Sequence, residues 1–318
     1  MQNKKRKQKG KVTEVYFAIA VTCALALVIG IMIGLHLPRG VSSSVGTPTN
    51  YSSGGSLGTN TTQLAEFNQI KSEVLPQQGY VLPAKWENSI KQLVDDNALN
   101  VSALTQILNN SGQPLTAQEQ QILNGTSTIN ITINSSDSKF VLLVLWSLGI
   151  NNNDTIISNG PIMKFGGNPD NLASTGGYGP LGTLQLGKLD ILNLTPQEQM
   201  IANYTALNSY RPCCNNPTMF PDCNHGAAAL GLIELMISQG ANTTAVFTSL
   251  KEFNSFEYPQ QYTELAMYLK GKGVDFSSVP GYIIVSRNFS SGSAVTQIQQ
   301  SLSGSQVGQA GSGSGCGA

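Results

Sequence analysis

The chain of 318 residues carries 18 basic and 18 acidic side chains, and charged residues make up only 11% of it. The two signs are unevenly distributed. Six basic residues lie within residues 1–14, and after Arg39 the chain has 11 Lys and Arg against 17 Asp and Glu, a net charge of −6. This acidic main part lacks the basic surface that nucleic-acid binding requires, so we expect no nucleic acid as a partner.

An uncharged apolar run occupies residues 15–37, directly after the basic residues. As a helix it would be about 34 Å long, enough to cross a hydrocarbon core of about 30 Å. The run is longer than the apolar part of a signal peptide, and no small-residue cleavage site follows it. The preceding basic residues place residues 1–14 in the cytoplasm. The sequence therefore predicts a single-pass cell-membrane protein with an extracytoplasmic C-terminal domain.

The rest of the chain divides by composition. Residues 38–63 are rich in Gly, Ser and Thr and predict a flexible linker. Residues 291–318 form a similar Gly/Ser-rich tail, apart from a short helical pattern at residues 294–302. Between them, residues 64–290 are long enough for one large domain or two small ones.

Helical patterns dominate this domain. Two capping boxes, Thr116 with Glu119 and Thr195 with Glu198, mark helix starts. Two segments that are apolar on every side predict buried core helices at residues 138–148 and 227–238. Further patterns predict helices at residues 83–95, 243–253 and 259–269, and short strands at residues 128–133 and 282–285. The expected fold class is mainly α: a transmembrane helix, then a helical domain with long loops and at most a small hairpin.

Residues 160–187 form a glycine-rich segment with three prolines and no periodicity. They include a literal G-x-G-x-x-G at residues 177–182, but Pro180 interrupts it. No strand pattern precedes it and no helix pattern follows, so we do not assign nucleotide binding. Long aperiodic segments in compact domains are usually functional or mobile. We expect this one to pack, as a lid or wall, over the cysteine-containing segment that follows it.

Four residues, called here the cysteine cluster, follow the pattern CC-x8-C-x-H: Cys213, Cys214, Cys223 and His225. The chain has two histidines, and the other lies in the apolar run, so His225 is the only one in the predicted domain. An N-cap at Asp222 or Asn224 would place Cys223 and His225 at the start of the next helix. The helix dipole favours a thiolate there, and a turn at residues 215–217 would fold the adjacent cysteines back towards it.

Three interpretations of the cluster remain open. In the first, three sulfurs and one imidazole bind zinc or copper. Against it, adjacent residues in an extended chain point apart, and the spacing matches no standard zinc finger. In the second, Cys223 forms a structural disulfide with Cys213 or Cys214, as an oxidising compartment favours, and Cys316 is a candidate partner for the remaining cysteine. In the third, the thiols exchange disulfides, although C-x-x-C is missing.

Three charged residues near the cluster are secondary candidates. Arg211 and Asp222 flank it and could support its ligands. Glu234 lies in the predicted apolar helix, either as an acid directed towards the cluster or as a paired buried residue. No Ser/His/Asp set can be assembled, and no reaction is predicted.

Asn-x-Ser/Thr sequons are frequent in the chain and predict N-glycans on an exported domain. They begin at Asn50, Asn60, Asn100, Asn109, Asn124, Asn130, Asn134, Asn153, Asn193, Asn203, Asn242 and Asn288.

The cluster lies in the segment "YRPCCNNPTMFPDCNHGAAALGLIELMISQGA", which resembles a block found in uncharacterised membrane-anchored prokaryotic proteins. Weaker similarity extends to "ASTGGYGPLG" and "GYVLPAKWENSIKQLV", so that it covers about residues 75–290. The resemblance implies that the CC-x8-C-x-H block is a hallmark of the family, but it implies no reaction. We therefore expect a membrane-anchored extracytoplasmic protein whose cluster binds zinc or copper, or else a cell-surface interaction protein stapled by a disulfide.

Overall fold

The computed structural model describes residues 61–125, 127–165 and 168–304. The predicted cytoplasmic tail and transmembrane helix, most of the linker, Cys23 and Cys316 lie outside these residues. Within the described ranges, no helix is both long enough and apolar enough to span a membrane.

The described chain is mainly helical, as predicted, with one two-stranded sheet. Its first half contains α1 (Thr61–Val74), β1 (Tyr80–Glu87), α2 (Ser89–Asp95), α3 (Val101–Asn110), α4 (Ala117–Leu123), β2 (Ser127–Ile133) and α5 (Ser138–Asn151). Its second half contains α6 (Thr155–Ser158), α7 (Pro161–Lys164), α8 (Pro196–Leu207), α9 (Asn224–Ser238), α10 (Thr243–Glu257), α11 (Pro259–Gly271), α12 (Gly281–Ile284), α13 (Arg287–Ser290) and α14 (Gly292–Gly304). Helices α1 and α14 extend the fold into residues that composition assigns to the linker and the tail.

The predicted helix at residues 83–95 is wrong in its first half, which forms strand β1. Leu82, Ala84 and Trp86 are buried and alternate with exposed residues, as in a strand that covers a core. The register with β2 is irregular around Pro83, which has no N–H to donate. β1 and β2 are antiparallel, but α2, α3 and α4 separate them along the chain, so they do not form a hairpin.

The predicted strand at residues 282–285 is also wrong, because residues Gly281–Ile284 form the one-turn helix α12. A four-residue apolar run has no period that distinguishes a strand from a buried helical turn. The predicted strand at residues 128–133 is confirmed as β2.

The core centres on α5 and α9, which are buried nearly all round and pack more extensively against each other than any other pair of helices. Their close approach depends on two glycines. A Cβ on Gly149 would lie 2.0 Å from the Ala227 carbonyl oxygen, and one on Gly231 would lie 2.4 Å from that of Leu145. Both helices were predicted as core helices. Since α9 begins directly after Cys223, this core also positions the cysteine cluster.

The glycine-rich segment packs against the core and against the cluster's own loop. Trp146 Nε1 donates a hydrogen bond to the Ser174 carbonyl at 3.0 Å, and the Ser174 amide donates to the Asp222 carbonyl at 3.3 Å. The predicted position beside residues 213–225 is therefore confirmed. The residues of the G-x-G-x-x-G match lie in turns, with no helix after them.

Candidate functional site

The loop that carries the cysteines closes on itself through its two ends. The Thr218 amide donates to the Ser209 carbonyl at 2.8 Å, and the two hydroxyls are 2.9 Å apart. An isolated antiparallel bridge joins Tyr210 to Pro217. The turn at residues 215–217 thus folds the adjacent cysteines back towards the start of α9, as the sequence predicts.

Cys223 is the N-cap of α9, one residue away from either predicted cap. Its Sγ accepts a hydrogen bond from the Gly226 amide at 3.4 Å, the role usually taken by an Asp or Asn oxygen. The prediction that Asp222 or Asn224 is the N-cap was wrong, because it relied on the general preference for Asp and Asn at that position. A buried sulfur that carries negative charge is a good acceptor at the positive end of a helix dipole.

The three thiols of the cluster are free, and two of them are in contact. Cys213 Sγ lies 3.7 Å from Cys223 Sγ, well beyond the roughly 2.05 Å of a disulfide bond. Cys214 interacts electrostatically with both, and its thiol points towards the Asn216 carbonyl oxygen at 3.9 Å. Cys223 is buried, whereas Cys213 and Cys214 are partly exposed.

Arg211 is the charged centre of the loop, with only 1% of its surface exposed. Its Nε donates to Cys223 Sγ at 3.1 Å, and its Nη2 forms an ion pair with Asp222. Its guanidinium also donates to the backbone carbonyls of Asn216, Pro217 and Phe220. Arg211 and Asp222, named from sequence only as flanking residues, therefore hold the loop together and place a positive charge beside Cys223.

His225 lies in the first turn of α9 and faces the end of α10. Its Nε2 is 3.4 Å from Oε2 of the buried Glu257, and its ring packs against Tyr258 with centroids 4.9 Å apart. Among the described residues, neither His225 Nδ1 nor Glu257 Oε1 has a hydrogen-bond partner, although both atoms are buried. The Tyr258 hydroxyl donates to Cys213 Sγ at 3.1 Å, so the junction between α10 and α11 contacts both His225 and Cys213.

Glu257 and Tyr258 were not found from the sequence. They lie more than thirty residues after the cluster, where α10 gives way to α11 at Pro259, and no local pattern links them to cysteines. The only available signal is the helix break itself, which leaves the last side chains of α10 free to face a neighbouring element.

The electrostatics of the cluster favour one thiolate, on Cys223. Hydrogen bonds from Cys213 and Cys214, together with Arg211 and His225, hold the pKa of Cys223 well below its ordinary value despite burial. Hydrogen bonding to Cys214 and Cys223, with burial, raises the pKa of Cys213. Burial lowers the pKa of His225, but its interactions with Cys223 and Glu257 outweigh it and raise that pKa to about 9. The cluster thus places a thiolate between two cations.

The four predicted ligands are brought into one neighbourhood but do not surround a single point. Cys223 interacts with both Cys213 and the His225 ring. Over the described ranges, no group of three or more His, Cys, Asp or Glu side chains is arranged so that it could hold a metal ion. A metal would therefore have to draw these side chains inwards.

Glu234 belongs to a different polar group, inside the core. Its Oε2 accepts a hydrogen bond from Asn152 Nδ2 at 2.8 Å, and its carboxyl group interacts with that of Asp154. The carboxyl of Asp154 also caps α6 by accepting from two backbone amides. The interpretation of Glu234 as a paired buried acid is the one that agrees with these contacts.

The resemblance of the cysteine block to uncharacterised membrane-anchored prokaryotic proteins rests only on the quoted residues. No family model, no curated protein and no solved structure matches this chain.

Proposed function

We propose that this protein is a membrane-anchored extracytoplasmic protein whose cysteine cluster binds a thiophilic transition metal, zinc or copper. The ligands would come from Cys213, Cys214, Cys223 and His225. One observation carries the proposal: two unbonded sulfurs, on Cys213 and Cys223, lie 3.7 Å apart beside the half-buried imidazole of His225, whose Nδ1 has no hydrogen-bond partner among the described residues.

The sulfur separation fits a shared ion. Two sulfurs bound at about 2.3 Å in a tetrahedral set are roughly 3.8 Å apart. A pair of thiols at this distance can both bind one metal without moving the backbone. The third thiol, on Cys214, interacts electrostatically with the other two and is the candidate third sulfur ligand.

The surroundings of His225 also fit a ligand. Metal-binding imidazoles usually donate their second ring N–H to a carboxylate, which orients the ring. Glu257 lies in that position, at Nε2, and leaves Nδ1 as the nitrogen available to a metal. Metal binding at Nδ1 would release a proton, since the pKa of His225 is about 9, so affinity is expected to rise with pH up to that value.

Arg211 supports the proposal because its positive charge would offset the negative charge of the metal-binding thiolates. Binding zinc or copper through two or three thiolates leaves net negative charge in a partly buried site. The guanidinium contacts Cys223 Sγ directly. Its hydrogen bonds to backbone carbonyls hold it in this position. Soft thiolates favour copper(I) or zinc over magnesium or calcium.

Metal titration of the reduced full-length protein tests the proposal. Under anaerobic conditions we expect about one zinc or copper(I) per chain after gel filtration, and protection of the cluster thiols from a thiol reagent. Cobalt(II) should give sulfur-to-metal charge-transfer absorption that weakens in Cys223→Ser and shifts in His225→Ala. The matched control is the double variant Cys23→Ser/Cys316→Ser, which should bind normally. Binding that survives Cys213→Ser/Cys223→Ser, or is lost in the control, would refute this site.

A second candidate function is reversible dithiol oxidation. It is favoured by one specific arrangement, the low-pKa thiol of Cys223 next to the protonated thiol of Cys213. A small-molecule disulfide would accept two electrons from the pair, together with the proton of Cys213 and one proton from solvent, so that the Cys213–Cys223 bond forms and two thiols are released. Mass spectrometry of the protein equilibrated in glutathione buffers separates the two functions. A disulfide that forms equally well with zinc present would favour the redox function.

A further inference from the structure

The sequon asparagines of the described residues lie at the surface. Eight of the ten are exposed, two are half-buried and none is buried. By contrast, four asparagines that do not begin sequons are buried: Asn151, Asn152, Asn224 and Asn254. Exposure permits a glycan, but it does not distinguish one sequon from another, so the side-chain contacts have to decide.

Asn130, on strand β2, has a favourable environment for a glycan. It is directly opposite Lys85, and the sequon hydroxyl of Thr132 is directly opposite Val81. Residues two apart on a strand, and residues directly opposite each other, share one face of the sheet. Val81, Lys85 and Asn130 are all exposed, so this shared face is the outer one. Both groups that define the sequon therefore point away from the core.

The Asn130 amide is also free to react. Its side chain makes no hydrogen bond with another described residue. Asn203, in contrast, is half-buried, and its Nδ2 donates to Thr155 Oγ1 at 3.4 Å. A sugar on Nδ2 would have to be accommodated beside that contact at Asn203, whereas at Asn130 it would disturb no hydrogen bond.

The outer face of the sheet has an apolar residue that a sugar would cover. Val81 is 64% exposed, more than any other large hydrophobic residue of the described chain. Pro83, on the same strand and also exposed, adds apolar surface. Few charged residues are available to keep such a face soluble, because charged side chains make up only 11% of the chain.

We propose that Asn130 is an N-glycosylation site and that its glycan covers the outer face of the β1–β2 sheet. The substrate is a lipid-linked oligosaccharide. The bond from sugar C1 to Asn130 Nδ2 forms, the C1–O bond to the lipid phosphate breaks, and the amide proton leaves. The inference rests on the extracytoplasmic location that the proposed function includes.

The test uses the full-length protein made in cells that N-glycosylate exported proteins, with electrophoretic mobility and mass as readouts. Asn130→Gln and Thr132→Val should each lose one glycan. Thr132→Ser should retain it, because serine also completes a sequon, and Asn203→Gln should match the wild type. Thr132→Val keeps a β-branched residue in the strand, which separates loss of the sequon from loss of the fold.

Two outcomes would overturn the inference in distinguishable ways. If other sequons carry glycans while Asn130→Gln and Thr132→Val migrate like the wild type, Asn130 is not a site. If no glycan is present, external protease decides what has failed. Digestion of the domain keeps the extracytoplasmic location and rejects the glycan, whereas full protection rejects both.

Discussion

Gly226→Ala tests whether Arg211 and Cys223 form one unit. A Cβ on Gly226 would lie 2.6 Å from Arg211 Cζ and 2.7 Å from its Nη2, so the guanidinium would have to move. That movement disrupts the hydrogen bond to Cys223 and the ion pair with Asp222. Charge-assisted hydrogen bonds contribute about 1.5–3 kcal/mol each, so losing both costs about 3–6 kcal/mol.

An opposing effect sets the net result. Alanine is favoured over glycine in a helix by about 1 kcal/mol, so we expect Gly226→Ala to lower the free energy of unfolding by about 2–5 kcal/mol. The same change should raise the pKa of Cys223, because the nearby cation is displaced. Gly271→Ala is the control, since nothing lies within 4 Å of its new Cβ, and it should be neutral or slightly stabilising.

Both quantities can be measured on the full-length protein. Denaturant unfolding can be followed by tryptophan fluorescence, because the only two tryptophans, Trp86 and Trp146, are both buried in the domain. The rate of Cys223 alkylation against pH, measured by peptide mass spectrometry, reports its thiolate fraction. If Gly226→Ala matches Gly271→Ala in stability and leaves the alkylation profile unchanged, the coupling of Arg211 to Cys223 is incorrect.

Three further predictions concern topology and the core. External protease should digest the domain of intact cells and spare a tag on residues 1–14; a protected domain would reverse the topology. Gly149→Ala should destabilise by about 1–3 kcal/mol or more, because its Cβ would meet the Ala227 carbonyl in a packed core, and unfolding curves that overlay the wild type would contradict this. Burial and the neighbouring Asp154 raise the pKa of Glu234. The folded state thus holds the proton more tightly than the unfolded state, and the associated stability is lost as pH rises above about 4.5. Glu234→Gln should therefore become more stable relative to the wild type between acidic and neutral pH, and a difference that does not change with pH would be inconsistent with the raised pKa of Glu234.

Much of the helical core could be predicted from the sequence, because its signals are local. Continuous apolar segments mark α5 and α9. In each capping box, the two side chains accept hydrogen bonds from backbone amides within the same four-residue segment. Strand β1 was missed although Leu82, Ala84 and Trp86 alternate with polar or exposed positions. Proline occurs both in the first turn of helices and in irregular strands, so Pro83 did not discriminate between them.

The cluster was only partly predictable for a different reason. The pattern CC-x8-C-x-H concentrates four reactive side chains within thirteen residues, so their proximity follows from a single turn. The protonation state of Cys223 does not follow from that pattern. It depends on Arg211 at the other end of the loop and, through His225, on Glu257 of another helix. These tertiary contacts have no counterpart in local sequence.

The way the loop is closed predicts how a metal would act on the fold. Metal binding organises a domain when the ligands come together only around the ion, as in small zinc-dependent folds. Here Ser209, Thr218 and Arg211 already close the loop through hydrogen bonds, and α9 is anchored in a large core. The metal-free protein should therefore remain folded, with unchanged far-ultraviolet circular dichroism. Its thermal midpoint should rise on metal addition, because an ion at a hundred times its dissociation constant stabilises the native state by about 2.7 kcal/mol. A domain that unfolds on chelation would show that the metal, rather than Arg211, closes the loop.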